Sequence, residues 1–182
     1  MPEDAPLTLD AFYGAVEQHI ARHLPGIQQV RFWPQVGDAL ALPAILLEIA
    51  EFEPGTDLGT GQTTLECRCE ARIVVAPEQP DATRQAAQLS TQLAVLLRTQ
   101  TWNLEEVEPA QFQSAEQDYS RPELDNYLTW RVEWSQVLHL GAEEWPWTDE
   151  APDGTRRILL IGLDPDTGPG NEGKYVPAGG LP

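Results

Sequence analysis

The 182-residue sequence has few cysteines and few basic residues. Its two cysteines, Cys67 and Cys69, cannot form the disulfide framework of a small secreted domain. Their spacing of two in a strand-like segment places both side chains on one face, which favours burial as free thiols. Only 11 basic residues accompany 29 acidic ones, for a formal net charge of -18. Such a surface repels phosphates at long range, which argues against a generic nucleic-acid-binding module or an anionic membrane partner.

Long hydrophobic runs are absent from the sequence as well. No stretch approaches the roughly 18 apolar residues of a membrane-spanning candidate. The N-terminus carries Glu3 and Asp4 where a signal peptide needs basic residues. Hydrophobic residues still make up 41% of the chain, which is enough to build a core. The sequence therefore predicts a globular protein made in the cytoplasm.

Two segments have the periodicity of amphipathic helices. Apolar residues recur three and four apart from Thr8 to Leu24, and Thr8 is placed to cap this helix. A second helix is predicted from Asp81 to Arg98, with Asp81 as its cap. Its apolar stripe consists of Ala82, Ala86, Leu89, Leu93, Leu96 and Leu97. Each stripe indicates a helix that packs one face on a sheet.

Five extended segments are predicted from the distribution of apolar residues, and in chain order they are Val30–Trp33, Ala44–Phe52, Leu65–Val75, Leu104–Phe112 and Tyr127–Leu140. In the third segment apolar side chains alternate with a charged face, predicted to be exposed, that carries Glu66, Arg68, Glu70 and Arg72. The last segment changes phase near Ser135 and Gln136, which predicts a β-bulge there. Together these patterns predict an α/β (α+β) domain, 1–140, with a mostly antiparallel sheet and two helices packed on it.

The composition changes after Leu140. The last 42 residues hold six of the 16 prolines and eight of the 14 glycines, together with one apolar island, Ile158–Leu163. Such a segment cannot build its own core, so residues 141–182 are predicted to form an extended C-terminal arm that folds against its own domain or the next subunit. Trp145 and Trp147 are the predicted interface anchors of this arm.

No residue pattern points to catalysis, a cofactor or a metal. His19 and His23 are four apart on the first helix but lack the glutamate of a zinc-protease motif and a third ligand. Gly168, Gly170 and Gly173 match a phosphate-binding loop, yet a proline lies inside it and no helix of useful length can follow. The acidic clusters lack the spacing of a calcium loop. We therefore expect no enzyme activity, and surface carboxylates that are simply solvated.

The order of these elements resembles the tail terminator (tail completion) proteins of long-tailed bacteriophages and phage-tail-like particles. The resemblance covers about Leu7 to Leu140. It depends on the helix that ends near Leu24, the strand start Leu42-Pro43-Ala44-Ile45, the Gly-rich loop to Gly61, the charged strand Leu65–Val75, the helix Asp81–Arg98 and the closing strand Tyr127–Leu140.

This resemblance implies a structural virion protein that forms a homohexameric ring on the head-proximal end of the tail tube. Such a ring stops tail polymerisation and presents a surface for the head or neck. Its partners would be the tail tube protein and a neck or head-completion protein, with the sheath as a further candidate, while DNA passes through the lumen unbound. The predicted interface residues are Glu66, Arg68, Glu70, Arg72, Trp145 and Trp147.

Two alternatives stay open from the sequence. The chain could be another connector of the same particles, such as a neck, collar or head-completion protein. It could also be a monomeric accessory binding module outside any particle. Partner identity separates the first alternative from a tail terminator, and the number of copies in solution separates the second.

Overall fold

The computed structural model describes residues 6–32, 40–143, 160–161 and 167–177. The chain divides into two compact units, Met1–Glu144 and Trp145–Pro182. The division into a domain ending at Leu140 and an arm stays a prediction, since contacts within the chain do not define how each part behaves alone.

The first unit is an α+β structure, as the sequence predicts. Its described residues form two α-helices, one short 3-10 helix (Pro122–Leu124) and five strands. The α-helices and strands are α1 (Leu9–His23), β1 (Gln29–Phe32), β2 (Ala44–Pro54), β3 (Thr63–Val75), α2 (Ala82–Leu97), β4 (Gln111–Gln117) and β5 (Leu128–Leu140). The five strands make one sheet in the order β1, β2, β3, β5, β4. β1 is parallel to β2, and every other neighbouring pair is antiparallel.

The register between β3 and β5 is unbroken from Thr63 opposite Leu140 to Val75 opposite Leu128. The bulge predicted near Ser135 and Gln136 is therefore wrong. The irregularities lie in the outer strands instead, between Phe112 and Ser114 of β4 and between Ile49 and Glu51 of β2. The apparent change of phase in β5 has another cause: Gln136 is a polar residue on the core face.

Both helices pack on one face of the sheet and form the main core with it. Thr8 caps α1 as predicted, since its Oγ1 accepts the N–H of Ala11 at 3.2 Å. The predicted cap of α2 is wrong, because Asp81 makes no side-chain cap bond. Its backbone is left-handed, with φ of 61°. A side-chain cap normally requires an extended backbone, which aims the oxygen at the first free N–H groups.

The strand predicted over Leu104–Phe112 is displaced along the chain. β4 begins only at Gln111, and within the predicted segment Val107 makes an isolated bridge to Leu138. The preceding turn contains three residues with positive φ, which are Thr99, Trp102 and Asn103. This irregular backbone lets Trp102 enter the core, where only 3% of it is exposed.

In the second unit, Leu160–Ile161 (β6) pairs antiparallel with Val176–Pro177 (β7). Trp145 and Trp147, the predicted anchors of the arm, lie outside the described residues. None of the helices in the described part of the chain has the length and apolar character needed to cross a membrane.

Candidate partner interface on the charged face of the sheet

The sheet has one face covered by helices and one face that carries charged side chains. Because side chains alternate along a strand, the residues between the core residues of β2, β3, β4 and β5 all point away from the helices. We call this surface the charged face. Together with Asp118 and Arg121 of the loop after β4, it holds eight carboxylates and four guanidinium groups, which belong to Glu48, Glu51, Glu53, Glu66, Glu70, Glu116, Asp118, Glu133, Arg68, Arg72, Arg121 and Arg131.

Arg72 lies at the centre of the charged face and contacts three carboxylates. Its Nη2 is 2.6 Å from Glu70 Oε2, its Nη1 is 2.7 Å from Glu48 Oε2, and its Nε is 2.9 Å from Asp118 Oδ2. The side chains of Arg72, Glu70 and Asp118 are exposed by only 6%, 7% and 3%. A guanidinium can donate five hydrogen bonds in a fixed plane, so one arginine can hold three carboxylates.

The loop after β4 completes this buried network. The Asp118 N–H donates to the Thr129 carbonyl at 2.9 Å, which ties the loop to β5. Burial by itself raises the pKa of the Asp118 carboxyl, but hydrogen bonds from Ser120 and from Arg72 outweigh it, so the pKa is lowered. Asp118 is therefore a buried carboxylate that stays ionised.

Glu48 connects the buried network to a more exposed arginine. Its Oε2 contacts both Arg72 and the Nη2 of Arg121. The side chain of Arg121 is 38% exposed. Glu48 thus carries two cationic partners and joins β2 to the segment that follows β4.

The structure corrects the predicted exposure of two interface residues. Glu70 and Arg72 are each only 5% exposed as whole residues, and both are used by contacts within the chain. β3 is the middle strand, so side chains from β2 and from the loop after β4 cover its central part. Glu66 and Arg68, nearer the start of the strand, are exposed as predicted. Their role in an interface stays a prediction.

The exposed end of the charged face has an excess of negative charge. Arg68 lies 3.1 Å from Glu51 and 3.8 Å from Glu70. Glu53 and Glu66 stand directly opposite each other on β2 and β3, an arrangement in which like charges repel. A pocket of about 190 Å³ is lined here by Glu51, Glu53, Glu66, Arg68, Gln113 and Ser135. A cationic side chain from a partner would relieve the repulsion there.

A second ion-pair group joins the last two strands of the sheet. Arg131 Nη2 is 2.5 Å from Glu116 Oε1 on β4, and Arg131 Nε is 3.1 Å from Glu133 Oε1, at an angle that makes an ion pair without a hydrogen bond. Burial lowers the pKa of Arg131, but these carboxylates more than offset it, so its pKa is raised. The guanidinium is fully charged, and the side chain of Glu116 is 59% exposed.

Sequence reasoning missed the partners that bury Glu70 and Arg72. The alternation of β3 and β5 placed their charges on one face, but it carried no information about which charges meet. Glu48 is in a strand that reads as apolar, and Asp118 is in a polar loop. Only the register between strands brings these two carboxylates to the same guanidinium.

A polar network also lies inside the core, on the face of the sheet that packs against the helices. The Oε1 of Gln136 accepts the indole N–H groups of Trp102 at 2.9 Å and of Trp134 at 3.2 Å. Its Nε2 donates to the carbonyls of Gln100 at 3.0 Å and Glu108 at 2.5 Å. All four bonds have partners within the chain, so this network ties the irregular segment before β4 to β5.

The two histidines of α1 have partners within the chain. Their rings stack with centroids 4.1 Å apart, and His19 Nε2 is 2.9 Å from Gln100 Nε2. Burial, followed by the neighbouring charges of His23 and Arg22, lowers the pKa of His19. In the described ranges no group of three or more His, Cys, Asp or Glu side chains is placed to hold a metal ion.

Comparison with known proteins adds no family to this description. A scan against models of protein families and a search of curated proteins each return no match to the chain. The charged face and the edges of the sheet are therefore the features of the molecule that bear on its function.

Proposed function

We propose that the chain is a tail terminator: a structural virion protein that forms a hexameric ring on the head-proximal end of a phage tail tube. The ring ends tube polymerisation and offers the attachment surface for the head or neck. Its partners are further copies of itself, the tube protein and a neck or head-completion protein, with the sheath as a further candidate. In this proposal the chain acts through its surfaces and carries out no catalysis.

The observation that carries the proposal is the two-faced sheet. The two α-helices cover one face, while the other carries the carboxylates and has no covering α-helix in the part of the chain that the structure describes. One part of this second face is apolar, where Leu124 of a short 3-10 helix packs on Ala44, Leu46 and Val74. In a ring with the helices outside, the charged face would line the lumen. Its net negative charge would repel the phosphates of passing DNA, so the genome would move through without adhering.

The charged groups themselves support a structural role. Despite burial, the pKa of Asp118 is lowered by hydrogen bonds from Ser120 and Arg72, and the pKa of Arg131 is raised by nearby carboxylates, so both groups are used by ion pairs within the chain. Such ion-pair networks hold strands in register and give a face a defined charge pattern. Another neck or collar connector would use the same features, so partner identity decides between these two related functions.

The test is native mass spectrometry of the purified chain over a range of concentrations, with negative-stain images of any large species. A hexamer of about 121 kDa, six times the 20.2 kDa chain, with ring-shaped particles is expected. Mixing with tail tube protein should then shorten the tubes or cap one end of each. A 20.2 kDa monomer that persists at all concentrations and also in the presence of tube protein would contradict the proposal and favour an accessory module.

A further inference from the structure

Neither edge strand of the sheet has a second strand partner among the described residues. β1 pairs only with β2, and β4 pairs only with β5. An unpaired edge strand is a template for another strand unless proline, lysine or a covering segment blocks it. β4 contains no proline or lysine, its one charged residue is Glu116, and Phe112 on it is 48% exposed. Within the described ranges, this edge therefore has little to prevent pairing with another chain.

The hydrogen-bond pattern shows which backbone groups of β4 point outward. The Asp118 N–H donates to Thr129 of β5, so in the antiparallel ladder Glu116 also points its backbone toward β5. The backbone groups of Ala115 and Gln117 alternate with these and point out of the sheet. Their N–H and C=O groups are the ones that an added strand would meet.

The hydrogen bonds of the sheet also show which backbone groups of β1, at the opposite edge, point outward. The Gly55 N–H donates to the Thr64 carbonyl, which fixes the residues of β2 whose backbone groups face β3, and the intervening residues of β2 face β1. In the parallel register between β1 and β2, Arg31 therefore points its backbone toward β2, while Val30 and Phe32 point outward. The Phe32 N–H is consistent with this, since it donates to Glu17 Oε1 at 2.6 Å, away from β2, and it is therefore already occupied within the chain. Val30 has both of its backbone groups directed to the open side.

The two edges also run in opposite directions. β1 is parallel to β2, and three antiparallel steps separate β2 from β4. When copies are related by rotation about an axis along the strands, β4 of one copy thus meets β1 of the next in an antiparallel orientation. This contact uses two different surfaces, which is the heterologous type that closes into rings.

We propose that β4 of one copy pairs antiparallel with β1 of the neighbouring copy, with Arg31 of the neighbour opposite Glu116. Both residues point their backbones away from this new contact, and both side chains lie on the side of the sheet opposite the α-helices, so they form a close non-hydrogen-bonded pair. Gln117 then exchanges two hydrogen bonds with Val30 of the neighbour. This inference rests on the proposed ring and names the surface that builds it.

Charge favours this register over registers that are shifted along the strands. Arg31 is exposed and makes no ion pair among the described residues, while Glu116 uses one carboxylate oxygen for Arg131 and has a side chain that is 59% exposed. An arginine opposite a glutamate is a favourable cross-strand pair. The pairing also keeps every helix on the same side, so the charged faces of all copies become one continuous surface.

The dimensions agree with a ring around DNA. Six copies would contribute thirty strands from their five-stranded sheets. At roughly 4.8 Å between strands, the sheet would have a circumference on the order of 140 Å and a diameter of about 45 Å. Side chains reduce this bore, which still exceeds the width of a DNA double helix.

Disulfide cross-linking of the full chain tests the pairing. Opposite residues of a non-hydrogen-bonded pair have Cα atoms about 4.5 Å apart, which falls within the range that a disulfide spans. Both native cysteines are buried, so they leave the background low. The variant Arg31→Cys/Glu116→Cys, oxidised at ring-forming concentration, should give a ladder of covalent species up to the hexamer on non-reducing gels. Arg31→Cys/Glu66→Cys is the matched control and should stay monomeric on the gel.

Each other outcome overturns the inference. Covalent dimers from Glu116→Cys alone would mean that β4 pairs with itself about a two-fold axis. A hexamer in native mass spectrometry of the Arg31→Cys/Glu116→Cys variant without cross-links would overturn the edge pairing and leave the proposed ring intact. Absence of both the ring and the cross-links, with wild type also monomeric, would overturn the inference together with the proposed function. Gln117→Pro, which removes an outward N–H, should lower the hexamer fraction at least tenfold while α2 and the core stay folded by circular dichroism.

Discussion

Replacing Arg72 by methionine removes the cation at the centre of the charged face and keeps most of its side-chain volume. The change leaves the carboxylates of Glu70 and Asp118, which are exposed by only 7% and 3%, without their main counter-charge. Glu48 is less affected because it retains Arg121. The perturbation is therefore electrostatic and lies inside the folded chain.

The expected cost follows from burial. Removing one partner of a buried ion pair typically costs about 3 to 5 kcal/mol, because the remaining charge stays in a poorly solvated position. Arg68→Met is the matched control on the same strand. Arg68 is 44% exposed and its partner Glu51 is 50% exposed, and a surface pair of this kind contributes only about 0 to 1 kcal/mol. The two variants should therefore differ by at least 2 kcal/mol in the free energy of unfolding.

Urea unfolding followed by tryptophan fluorescence measures both variants against wild type. The triple variant Arg72→Met/Glu70→Gln/Asp118→Asn neutralises the two carboxylates that Arg72→Met leaves unpaired. It should recover part of the lost free energy of unfolding, since the uncompensated charges are then gone. The reasoning is refuted if Arg72→Met and Arg68→Met lose equal stability. A loss below about 1 kcal/mol for Arg72→Met would also refute it, and would mean that the centre of the face is solvated.

Two further predictions concern buried polar groups. Gln136→Leu should destabilise the fold by about 3 kcal/mol or more in urea, because it leaves the indole N–H groups of Trp102 and Trp134 without an acceptor; a neutral or stabilising effect would contradict this. The pKa of Asp118 is lower in the folded chain than its unfolded value of about 3.9, so its carboxylate stabilises the fold above that pH and the contribution is lost as pH falls through the folded pKa. Asp118→Asn should thus lose stability at pH 7, with a deficit that shrinks below about pH 4; a deficit independent of pH would count against the assignment.

Local periodicity was enough to predict most of the secondary structure. The helices near Leu9–His23 and Ala82–Leu97 and the long strands Thr63–Val75 and Leu128–Leu140 are each recognisable because their buried faces repeat every 3.6 or two residues. Those repeats are properties of contiguous sequence. They also place Cys67, Cys69, Trp130 and Trp134 on the core face, whereas Trp102 lies in the core without belonging to a periodic segment.

Where the periodicity is interrupted, the sequence predicts the wrong local structure. Gln136 interrupts an apolar stripe, a pattern that predicts a bulge, yet it stays in register because its amide is hydrogen-bonded. Its partners are the indole of Trp134 on the same strand, and one indole and two carbonyls of the segment before β4. Asp81 has the residue type of a cap, but the turn before α2 gives it a left-handed backbone. Both outcomes depend on residues or backbone geometry outside the local pattern.

The sequence alone determined that Glu66, Arg68, Glu70 and Arg72 share one face of a strand, because the alternation of side chains is a local property. Tertiary structure alone decided which of them are buried. Arg72 and Glu70 are covered because strand order and register bring carboxylates from distant segments to the middle strand. Glu66 and Arg68 lie nearer the start of that strand, where they stay exposed. Burial is a property of neighbours, and the neighbours of a central strand come from other parts of the chain.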